Sequence, residues 1–296
     1  MDLRQAAYVV AVVDQGSFTV AAASIPVSQP ALSQAVATLE RELGARLFDR
    51  IGRRVVLTAA GQAFLEPARR MLRDAEVARA AVADVAGLGS GAVDVVALST
   101  LVVEPLVPIV GRFRRAHPAV LVRITEPEDA AAVIGLVRSG GAELGLGDEA
   151  VPGGDVSLVS DRLGTQALLA VLPPDTSIPA GRRLPVARLA GFPLITTPPG
   201  TSTRRLLTAA VRDADPGADP RIGVVTEHRE AIVPLVLAGA GAAVLPEPLA
   251  RAAAAQGAVV VPLTPGVERT VHLVRRSGPL SPGAAAFRAL ALEDPP

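Results

Sequence analysis

The sequence contains no cysteine, no lysine and no tryptophan, and only 2% of its residues are aromatic. The absence of cysteine excludes disulfide bonds, thiolate catalysis and cysteine-ligated zinc. Because aromatic residues are so few, aliphatic side chains must provide most of the core. The chain starts without a secretory signal pattern, and its longest apolar run, residues 231–245, is shorter than a membrane-spanning helix and contains Pro234. These absences predict a cytoplasmic protein that does not enter a membrane.

The basic residues are all arginine, and they are unevenly distributed along the chain. Basic and acidic residues balance at 29 each, so the net charge is zero. Eight arginines nevertheless lie between Arg41 and Arg73, against three acidic residues. Such a local excess of positive charge is typical of DNA-binding surfaces. At 296 residues the chain is long enough for two or three domains.

A helix, a turn and a second helix are predicted between Ser17 and Leu43. Ser28 is suited to cap the second helix, with Pro30 in its first turn. One face of that helix is apolar at spacings of four, three and four residues, through Leu32, Val36, Leu39 and Leu43. The opposite face is small or polar, with Gln29, Ser33, Gln34, Ala37, Thr38 and Arg41. This is the composition expected of a helix that enters the DNA major groove.

Two further elements follow the predicted recognition helix. Short β-prone runs around Gly52 predict a hairpin, or wing, from Arg50 to Leu57. A long helix is predicted from Thr58, and Pro67 is expected to kink or divide it. Its apolar residues have the spacing of a two-stranded coiled coil: Phe64, Ala68, Met71, Ala75, Ala78, Val82 and Val85. The seam could instead pack on its own chain, but no partner is expected across the Gly-rich residues 87–91, so dimerisation is favoured.

The remainder of the chain alternates short aliphatic strands with helical stretches. Strands are predicted at residues 93–98, 121–125, 144–146, 167–172, 194–196, 222–225 and 242–245. Continuous aliphatic strands between helices indicate sheets that are covered on both faces and are mainly parallel. The length accommodates two α/β lobes.

The N-terminal sequence resembles the winged helix-turn-helix of LysR-type transcriptional regulators. The resemblance is ungapped over about 45 residues, from the Ser17-Phe18-Thr19 segment to Gly61. It is carried by residues 27–33 (VSQPALS), 46–50 (RLFDR) and 52–55 (GRRV). A weaker resemblance to the effector domain of the same family extends over the rest of the chain, most clearly in residues 230–246.

The resemblance implies a fold class and a domain organisation. It implies an N-terminal all-α winged helix-turn-helix with a linker helix, then an α/β effector domain of two Rossmann-like lobes of the periplasmic-binding-protein type. The expected boundaries are 1–58 for the DNA-binding domain, 59–91 for the linker and 92–296 for the effector domain. Lobe one would comprise 92–162 and 268–296, and lobe two 163–267. The family also implies a homotetramer built from dimers.

The candidate DNA-binding residues lie on the second helix and the wing. They are Ser28, Gln29, Pro30, Ser33, Gln34, Thr38, Arg50, Arg53 and Arg54. Side-chain amides and hydroxyls suit base edges, and arginines suit phosphates. Ser28 could instead be only a helix cap, and the arginines only solvated surface. The family usually has a basic residue at Gln34, so this chain differs there.

The candidate effector-binding residues are polar groups at strand ends and helix starts: Ser99, Thr100, Thr201, Ser202, Thr203 and His228. Residues 197–203 resemble the family loop that precedes a helix of lobe two. Each hydroxyl could be only a helix cap, and a lone histidine is more often structural. Ala130 stands where the family often has a hydroxyl residue, next to Glu126, Glu128 and Asp129; this acidic group would disfavour a simple carboxylate effector if it faced the cleft.

No catalytic or metal-binding pattern is recognisable. The histidines are far apart, and neither a phosphate-binding lysine motif nor a nucleophile elbow is present. The sequence therefore predicts a regulator without enzyme activity or cofactor, whose partners are a double-stranded DNA operator and a small-molecule effector of unknown identity. The alternative is a two-lobed small-molecule-binding protein that does not regulate DNA.

Overall fold

The computed structural model describes residues 1–51, 54–85, 91–178, 183–217 and 219–293, and at some of these positions, including 50, 51 and 54, only the backbone. The N-terminal domain consists of three helices, a two-stranded hairpin and the start of a long helix. These elements are α1 (Leu3–Gln15), α2 (Phe18–Ser24), α3 (Gln29–Leu43), β1 (Phe48–Ile51), β2 (Arg54–Leu57) and α4 (Ala59–Val85). The predicted winged helix-turn-helix is thus present.

Local capping explains where the first helix begins and ends. The Asp2 carboxylate accepts a hydrogen bond from the Gln5 backbone N–H, and the Gln5 side chain accepts one from Asp2, both at 2.8 Å. Gly16 ends α1 with φ of 64°, a conformation that glycine adopts without strain. Between these caps, α1 buries Val9 and Val12 against the core that it shares with α2 and α3.

Two features of the linker helix α4 bear on the prediction. It runs through Pro67 without being divided. It also packs on its own chain, because Phe64 joins the N-terminal core and Ala68 is fully buried. The expectation that the effector domain offers no partner to this helix is wrong, since Arg73 donates a 2.5 Å hydrogen bond to the Gly140 carbonyl of lobe one. Farther along α4, the side chain of Val82 is 71% exposed.

Lobe one is formed mainly by β3 (Gly91–Ala97), α6 (Val107–Ala116), β4 (Val120–Thr125), α7 (Ala130–Arg138), β5 (Leu144–Gly147) and the C-terminal α11 (Pro282–Glu293). Strand β3 pairs in parallel with both β4 and β5. A short α-helical turn, α5 (Ser99–Leu101), and a π-helical segment, Val102–Leu106, connect β3 to α6. Phe113 and Phe287 pack together at a ring-centroid distance of 5.3 Å in the centre of this lobe.

Lobe two contains a second hydrophobic core between helices and strands. Its elements are β7 (Leu184–Pro185), the 3₁₀ helices Val186–Gly191 and Arg229–Ala231, β8 (Leu194–Thr196), α8 (Ser202–Ala214), β9 (Ile222–Val225), α9 (Ile232–Leu237), β10 (Ala243–Pro246) and α10 (Glu247–Ala255). Strands β8 and β9 are parallel, and Leu194 bridges to Ala242 next to β10. The α/β architecture of both lobes agrees with the sequence.

Two long strands cross from one lobe to the other, β6 (Leu158–Leu172) and β11 (Val259–Arg276). They pair with each other along almost their whole length in antiparallel orientation. The expectation of mainly parallel sheets is therefore wrong for this part of the domain, and β11 was absent from the predicted strands. Leu163 packs in the lobe-one core and Leu168 in the lobe-two core, so β6 passes between lobes in this interval.

Candidate DNA-binding surface and effector cleft

The recognition helix α3 is fixed by its cap and by its apolar stripe. The Ser28 hydroxyl accepts a hydrogen bond from the Ala31 backbone N–H at 3.4 Å, so the capping role considered for this residue is present. Leu32, Val36 and Leu39 are buried in the domain core. The opposite side of α3 consequently faces away from the protein.

On that outer side, two of the candidate base-reading residues are hydrogen-bonded to each other. The Gln29 amide nitrogen donates to the Ser33 hydroxyl at 2.8 Å, one helical turn away. This bond orients the Gln29 amide, whose carbonyl oxygen and second N–H remain available to a base edge. Glutamine is a recognised partner of adenine because its amide matches the donor and acceptor pair of that base.

The other candidates are distributed around this pair and the wing. Pro30 and Gln34 are exposed, and Thr38 is half-buried on the same side of α3. In the wing, Arg50 lies opposite Val55, and Arg54 lies opposite Ile51. Arg53 lies outside the described residues, and the side chains of Arg50 and Arg54 are also outside them.

Glu40 holds the wing against the recognition helix, a role that sequence reasoning missed. Its Oε1 accepts hydrogen bonds from the backbone N–H groups of Leu47 at 2.7 Å and Phe48 at 3.2 Å. Thr58 completes the attachment by donating to the Arg46 carbonyl at 2.6 Å. The signal available in the sequence was an acidic residue among the apolar positions of α3, directly before the turn into the wing.

An ionic joint connects the linker helix to lobe one. Asp94 of β3 accepts hydrogen bonds from Arg73 of α4 at 3.1 Å and from Arg123 of β4 at 2.5 Å and 3.1 Å. Burial alone would raise the pKa of Asp94, but the hydrogen bonds and charges of Arg123 and Arg73 outweigh burial and lower that pKa below its ordinary value. The joint is therefore ionised at neutral pH.

A cavity of about 410 Å³ opens between the two lobes. Lobe one contributes Ser99, Thr100 and Val103 to its wall. Lobe two contributes most of the wall, which is largely apolar and comes from β8, α8, α9, β10 and α10. A concave, mainly apolar cavity with a few convergent polar groups is the usual form of a small-molecule site.

Two of the predicted effector residues face this cavity without hydrogen-bond partners. Within the described part of the chain, neither Ser99 Oγ nor Thr203 Oγ1 has a partner, although both atoms are shielded from solvent. Thr100 also lines the cavity, but its Oγ1 accepts a 2.5 Å hydrogen bond from Arg269. Buried polar groups without partners are uncommon in proteins, so this cavity is the candidate site for a polar ligand group.

The three other predicted effector residues have different surroundings. Ser202 donates its hydroxyl hydrogen to the Asp148 carboxylate of lobe one, so it bridges the lobes. Thr201 donates to the Pro198 carbonyl at 2.9 Å and borders a neighbouring cavity. His228 points to solvent, with 82% of its side chain exposed, and lies 3.5 Å from Glu230. Of the three predicted hydroxyl residues in this loop, Thr203 is the one that lines the cleft cavity, and Thr197, which was not predicted, lines it as well.

The acidic residues around Ala130 border the neighbouring cavity of about 430 Å³, beside the Pro198–Thr201 turn. Glu126, Glu128 and Asp129 line this second space together with Glu227 and Arg229. Asp129 also caps α7, because its Oδ1 accepts from the Ala132 backbone N–H at 2.8 Å. The acidic group thus lies next to the cleft cavity, with Arg229 lining both spaces.

Arg269 lies behind the cavity and was not identified from the sequence. It is 2% exposed and donates to the side-chain oxygen Oε1 of Gln166, to Thr100 Oγ1 and to the backbone carbonyl of Thr100. Burial lowers the pKa of this arginine to about 10. Because Gln166 is on β6 and Arg269 on β11, the guanidinium ties both crossing strands to the start of α5. No sequence signal was available, since β11 itself was not predicted.

Two further properties concern the described residues only. They contain no group of three or more histidine, aspartate or glutamate side chains placed to hold a metal ion. No single helix among them is long and apolar enough to cross a membrane. Helices α1 and α2 reach the necessary length and apolar content only when they are counted together, and the angle between them is 116°.

Comparison with protein families gives two matches that together cover nearly the whole chain. Residues 3–62 match the bacterial regulatory helix-turn-helix protein, lysR family. Residues 86–295 match the LysR substrate binding domain. Among curated proteins, the HTH-type transcriptional regulator TfdT of Cupriavidus pinatubonensis is 35% identical over 202 residues, which is 68% of this chain and 86% of that protein.

Solved structures show the same fold over the full length. A variant of full-length OxyR from Pseudomonas aeruginosa matches with a TM-score of 0.76 and 24% identity, covering 98% of this chain and 93% of that one. Full-length CbnR in complex with its target DNA matches with a TM-score of 0.68 and 24% identity, covering 99% and 100%. The chain belongs to the LysR family of DNA-binding transcriptional regulators, with an N-terminal helix-turn-helix and a C-terminal two-lobed domain.

Proposed function

We propose that this regulator binds its operator as a homodimer, assembled into a tetramer, and that a small molecule in the cleft between the lobes changes the DNA complex. The observation that carries the proposal is the pair of buried hydroxyls, Ser99 Oγ from lobe one and Thr203 Oγ1 from lobe two, that line one cavity without partners among the described residues. A ligand that bonds to both would favour the arrangement in which the lobes are close together. The effector is bound and released unchanged.

In this proposal, DNA recognition is divided between α3 and the wing. Gln29 and Ser33 read base edges from the exposed side of α3, with Ser28, Pro30, Gln34 and Thr38 beside them. Arg50, Arg53 and Arg54 are assigned to phosphates from their sequence positions. A symmetric dimer requires a pseudo-palindromic operator whose half-sites are separated by whole helical turns.

The decisive test is a gel-shift experiment with the intergenic DNA next to the gene for this protein. Binding at low salt that changes in position or affinity when a metabolite is added supports the proposal. Absence of DNA binding at low salt, combined with stabilisation of the protein by a metabolite, would instead favour the two-lobed binding protein. The TfdT and CbnR matches support the first outcome, because the former is named a transcriptional regulator and the latter was solved with its target DNA.

Dimerisation is assigned to the exposed part of the linker helix. Val82 is 71% exposed, and Ala78, one turn before it on the heptad seam, is also exposed. Val82→Glu should shift the protein toward monomers in sedimentation experiments, because a charge on a coiled-coil seam must be buried in the dimer. Ala63→Glu, at an exposed position of α4 outside the seam, is the matched control. Equal effects of the two substitutions would contradict this assignment.

A further inference from the structure

The cleft cavity extends from its polar entrance into an apolar space within lobe two. Ile195, Leu207, Ile232 and Leu245 each expose 5% of their surface or less, and all of them line this space. Val233 and Leu249 complete it from α9 and α10. A small hydrophilic effector would leave this space unfilled or would have to share it with water. The wall instead favours a ligand with a hydrocarbon portion, because filling an apolar cavity removes apolar surface of both partners from water.

The polar end of the same cavity favours an anion. Thr203 is the second residue of α8, a helix of 13 residues with no acidic residue in its first turn and no side-chain cap at Thr201. The N-terminus of such a helix carries unpaired N–H groups and partial positive charge. Thr203 itself is 7% exposed, and its unpartnered hydroxyl lies at the cavity wall, which is an independent indication of a ligand at this end.

Arginines add to the positive charge at the polar end. Arg229 lines the cavity and forms only a long ion pair, at 3.9 Å, with the half-exposed Glu126. Arg269 is buried behind Thr100 with only neutral hydrogen-bond acceptors among the described residues. The acidic residue that borders the cavity, Glu230, has 81% of its side chain exposed, so water screens its charge. Two further carboxylates lie close to this end: Glu126 is 54% exposed and is screened by water, and Asp148 is paired with Arg205. Arg229 and Arg269 can therefore still attract an anionic group to the polar end.

We infer that the effector of this regulator is an amphipathic organic anion. Its single anionic group lies at Ser99, Thr203 and Arg229, and its hydrocarbon body, straight or aromatic, occupies the apolar space of lobe two. This inference rests on the proposed function, because it identifies the ligand class of the same cleft. It also explains why the cavity wall is mostly contributed by lobe two: the body is held by one lobe, while the head group reaches the other.

The test uses isothermal titration of the full-length protein with five probes. Hexanoate, octanoate and 4-ethylbenzoate have one anionic head and different bodies, octanamide has a neutral head, and succinate has two anionic groups without an apolar body. Affinity should increase about fifteenfold from hexanoate to octanoate, at about fourfold per methylene. Octanamide should bind at least about tenfold more weakly than octanoate, since hydrogen bonds to a charged group are the stronger ones. The ratio of 4-ethylbenzoate to octanoate distinguishes an aromatic from an aliphatic body.

Two pairs of variants connect the binding to this cavity. Ala252 is exposed on α10 and lines the apolar space, so Ala252→Leu should weaken octanoate more than hexanoate without unfolding the protein. Ala254→Leu, at an exposed position of the same helix, should change neither. Thr203→Val, which keeps the shape of the side chain, should weaken octanoate about tenfold and leave octanamide less affected. Thr208→Val, at a half-buried position of the same helix that does not line the cavity, is its control.

Several outcomes would overturn the inference. They are succinate binding as tightly as octanoate, octanamide matching octanoate, an unchanged octanoate affinity in Ala252→Leu, or no probe binding to folded protein at millimolar concentration. Gel shifts of the same samples separate this failure from failure of the proposed function. If a hydrophilic metabolite alters the DNA complex, the regulator function stands and only the ligand class is wrong. If DNA is not bound at all, the proposed function itself fails.

Discussion

The recognition helix and the lobe cleft both present small polar side chains, but in opposite states. On α3, the Gln29 amide and the Ser33 hydroxyl are bonded to each other on the outer side of the helix, where both residues are only partly buried. In the cleft, Ser99 Oγ and Thr203 Oγ1 are shielded from water, and no partner is found for them within the described ranges. An exposed polar group bonds to water at little cost, whereas a buried group without a partner destabilises the fold.

This difference predicts two kinds of recognition within one chain. DNA replaces water around Gln29 and Ser33, so the gain per contact is modest and specificity comes from the geometry of the amide. A ligand in the cleft relieves an existing penalty at two hydroxyls, so it stabilises the protein as well as binding to it. Substitutions on the DNA surface are therefore expected to change DNA specificity but not the stability of the protein. Substitutions of the cleft hydroxyls are expected to change the stability of the protein.

The largest effect is expected from Gln29→Ala on operator binding. Loss of one base-reading amide should weaken operator binding about tenfold to a hundredfold, which corresponds to about 1–3 kcal/mol. Binding to unrelated DNA at the same salt should hardly change, because phosphate contacts are retained. Fluorescence anisotropy with both DNAs measures this ratio, and urea denaturation should show unchanged stability. A parallel loss on both DNAs would assign Gln29 to affinity rather than to base reading.

The next effect concerns the joint that connects the two regions. Asp94→Ala removes the acceptor of Arg73 and leaves that mostly buried guanidinium without its carboxylate, so stability should fall by about 1–2 kcal/mol. Asp74→Ala, which removes an exposed carboxylate 3.6 Å from Arg276, is the control, with less than about 1 kcal/mol expected. Urea denaturation gives both values. Equal losses would show that the buried joint is no stronger than a surface ion pair.

The same joint predicts a pH dependence. The pKa of Asp94 is lower in the folded protein than in the unfolded chain, so its contribution is fully present above the unfolded value of about 3.9. The contribution is lost as the pH falls below that value through the folded pKa. The stability difference between the parent protein and Asp94→Ala should therefore be constant from pH 7 to about pH 5 and shrink in more acidic solution. A difference that already declines near neutral pH would contradict the lowered pKa.

Most of the fold could be predicted from the sequence, and the exceptions have identifiable causes. Segments such as residues 93–98 and 194–196 predicted strands because they are mostly aliphatic and contain neither proline nor glycine. Strand β11 was missed because Pro262, Pro265 and Gly266 interrupt its pattern; the structure places a register shift between Pro262 and Val267. The seam on α4 was recognised, but a periodic stripe does not reveal that Phe64 packs on its own domain while Val82 remains exposed.

The candidate sites were predictable as segments but not as individual hydrogen bonds. Residues 197–203 contain four hydroxyl side chains, and the sequence identified that segment as a ligand loop. Their partners depend on tertiary contacts, since Ser202 bonds to Asp148 of the other lobe while Thr203 has no partner within the described residues. Asp148 is 54 residues away in the chain, and Arg269 is 169 residues away from Thr100. Separations of this size carry no local pattern.

A smaller effect is expected in the ligand loop, where substitutions of two nearby threonines should change the stability of the protein in opposite directions. Thr203→Val replaces an unpartnered buried hydroxyl by a methyl group and should stabilise the ligand-free protein by about 1 kcal/mol. Thr201→Val removes a hydroxyl that bonds to Pro198 and should destabilise it by about 1 kcal/mol. Thermal or urea denaturation distinguishes the two signs. Destabilisation by both variants would show that Thr203 has a partner in solution, and the contrast between cleft and recognition helix would then disappear.

The smallest effect is expected at the mouth of the cleft, where an arginine that remains partly in water joins the lobes. Arg205 of lobe two is 42% exposed and contacts Asp148 at 3.1 Å and Glu149 at 2.5 Å in lobe one. Arg205→Ala should reduce stability by about 0.5 kcal/mol at low salt and by less in high salt, because exposed ion pairs are screened.

Ser202→Ala provides the comparison, since Ser202 donates to the same carboxylate from a buried position. Its loss should be larger, about 1–2 kcal/mol, and should persist in high salt, because salt does not reach a buried hydrogen bond to a charged group. Urea denaturation of both variants at two salt concentrations separates the contributions. If the two variants lose equal stability at both salt concentrations, the ion pair at the mouth of the cleft is as shielded from water as the cavity. The polar groups at the mouth would then belong with the buried groups rather than with the exposed ones.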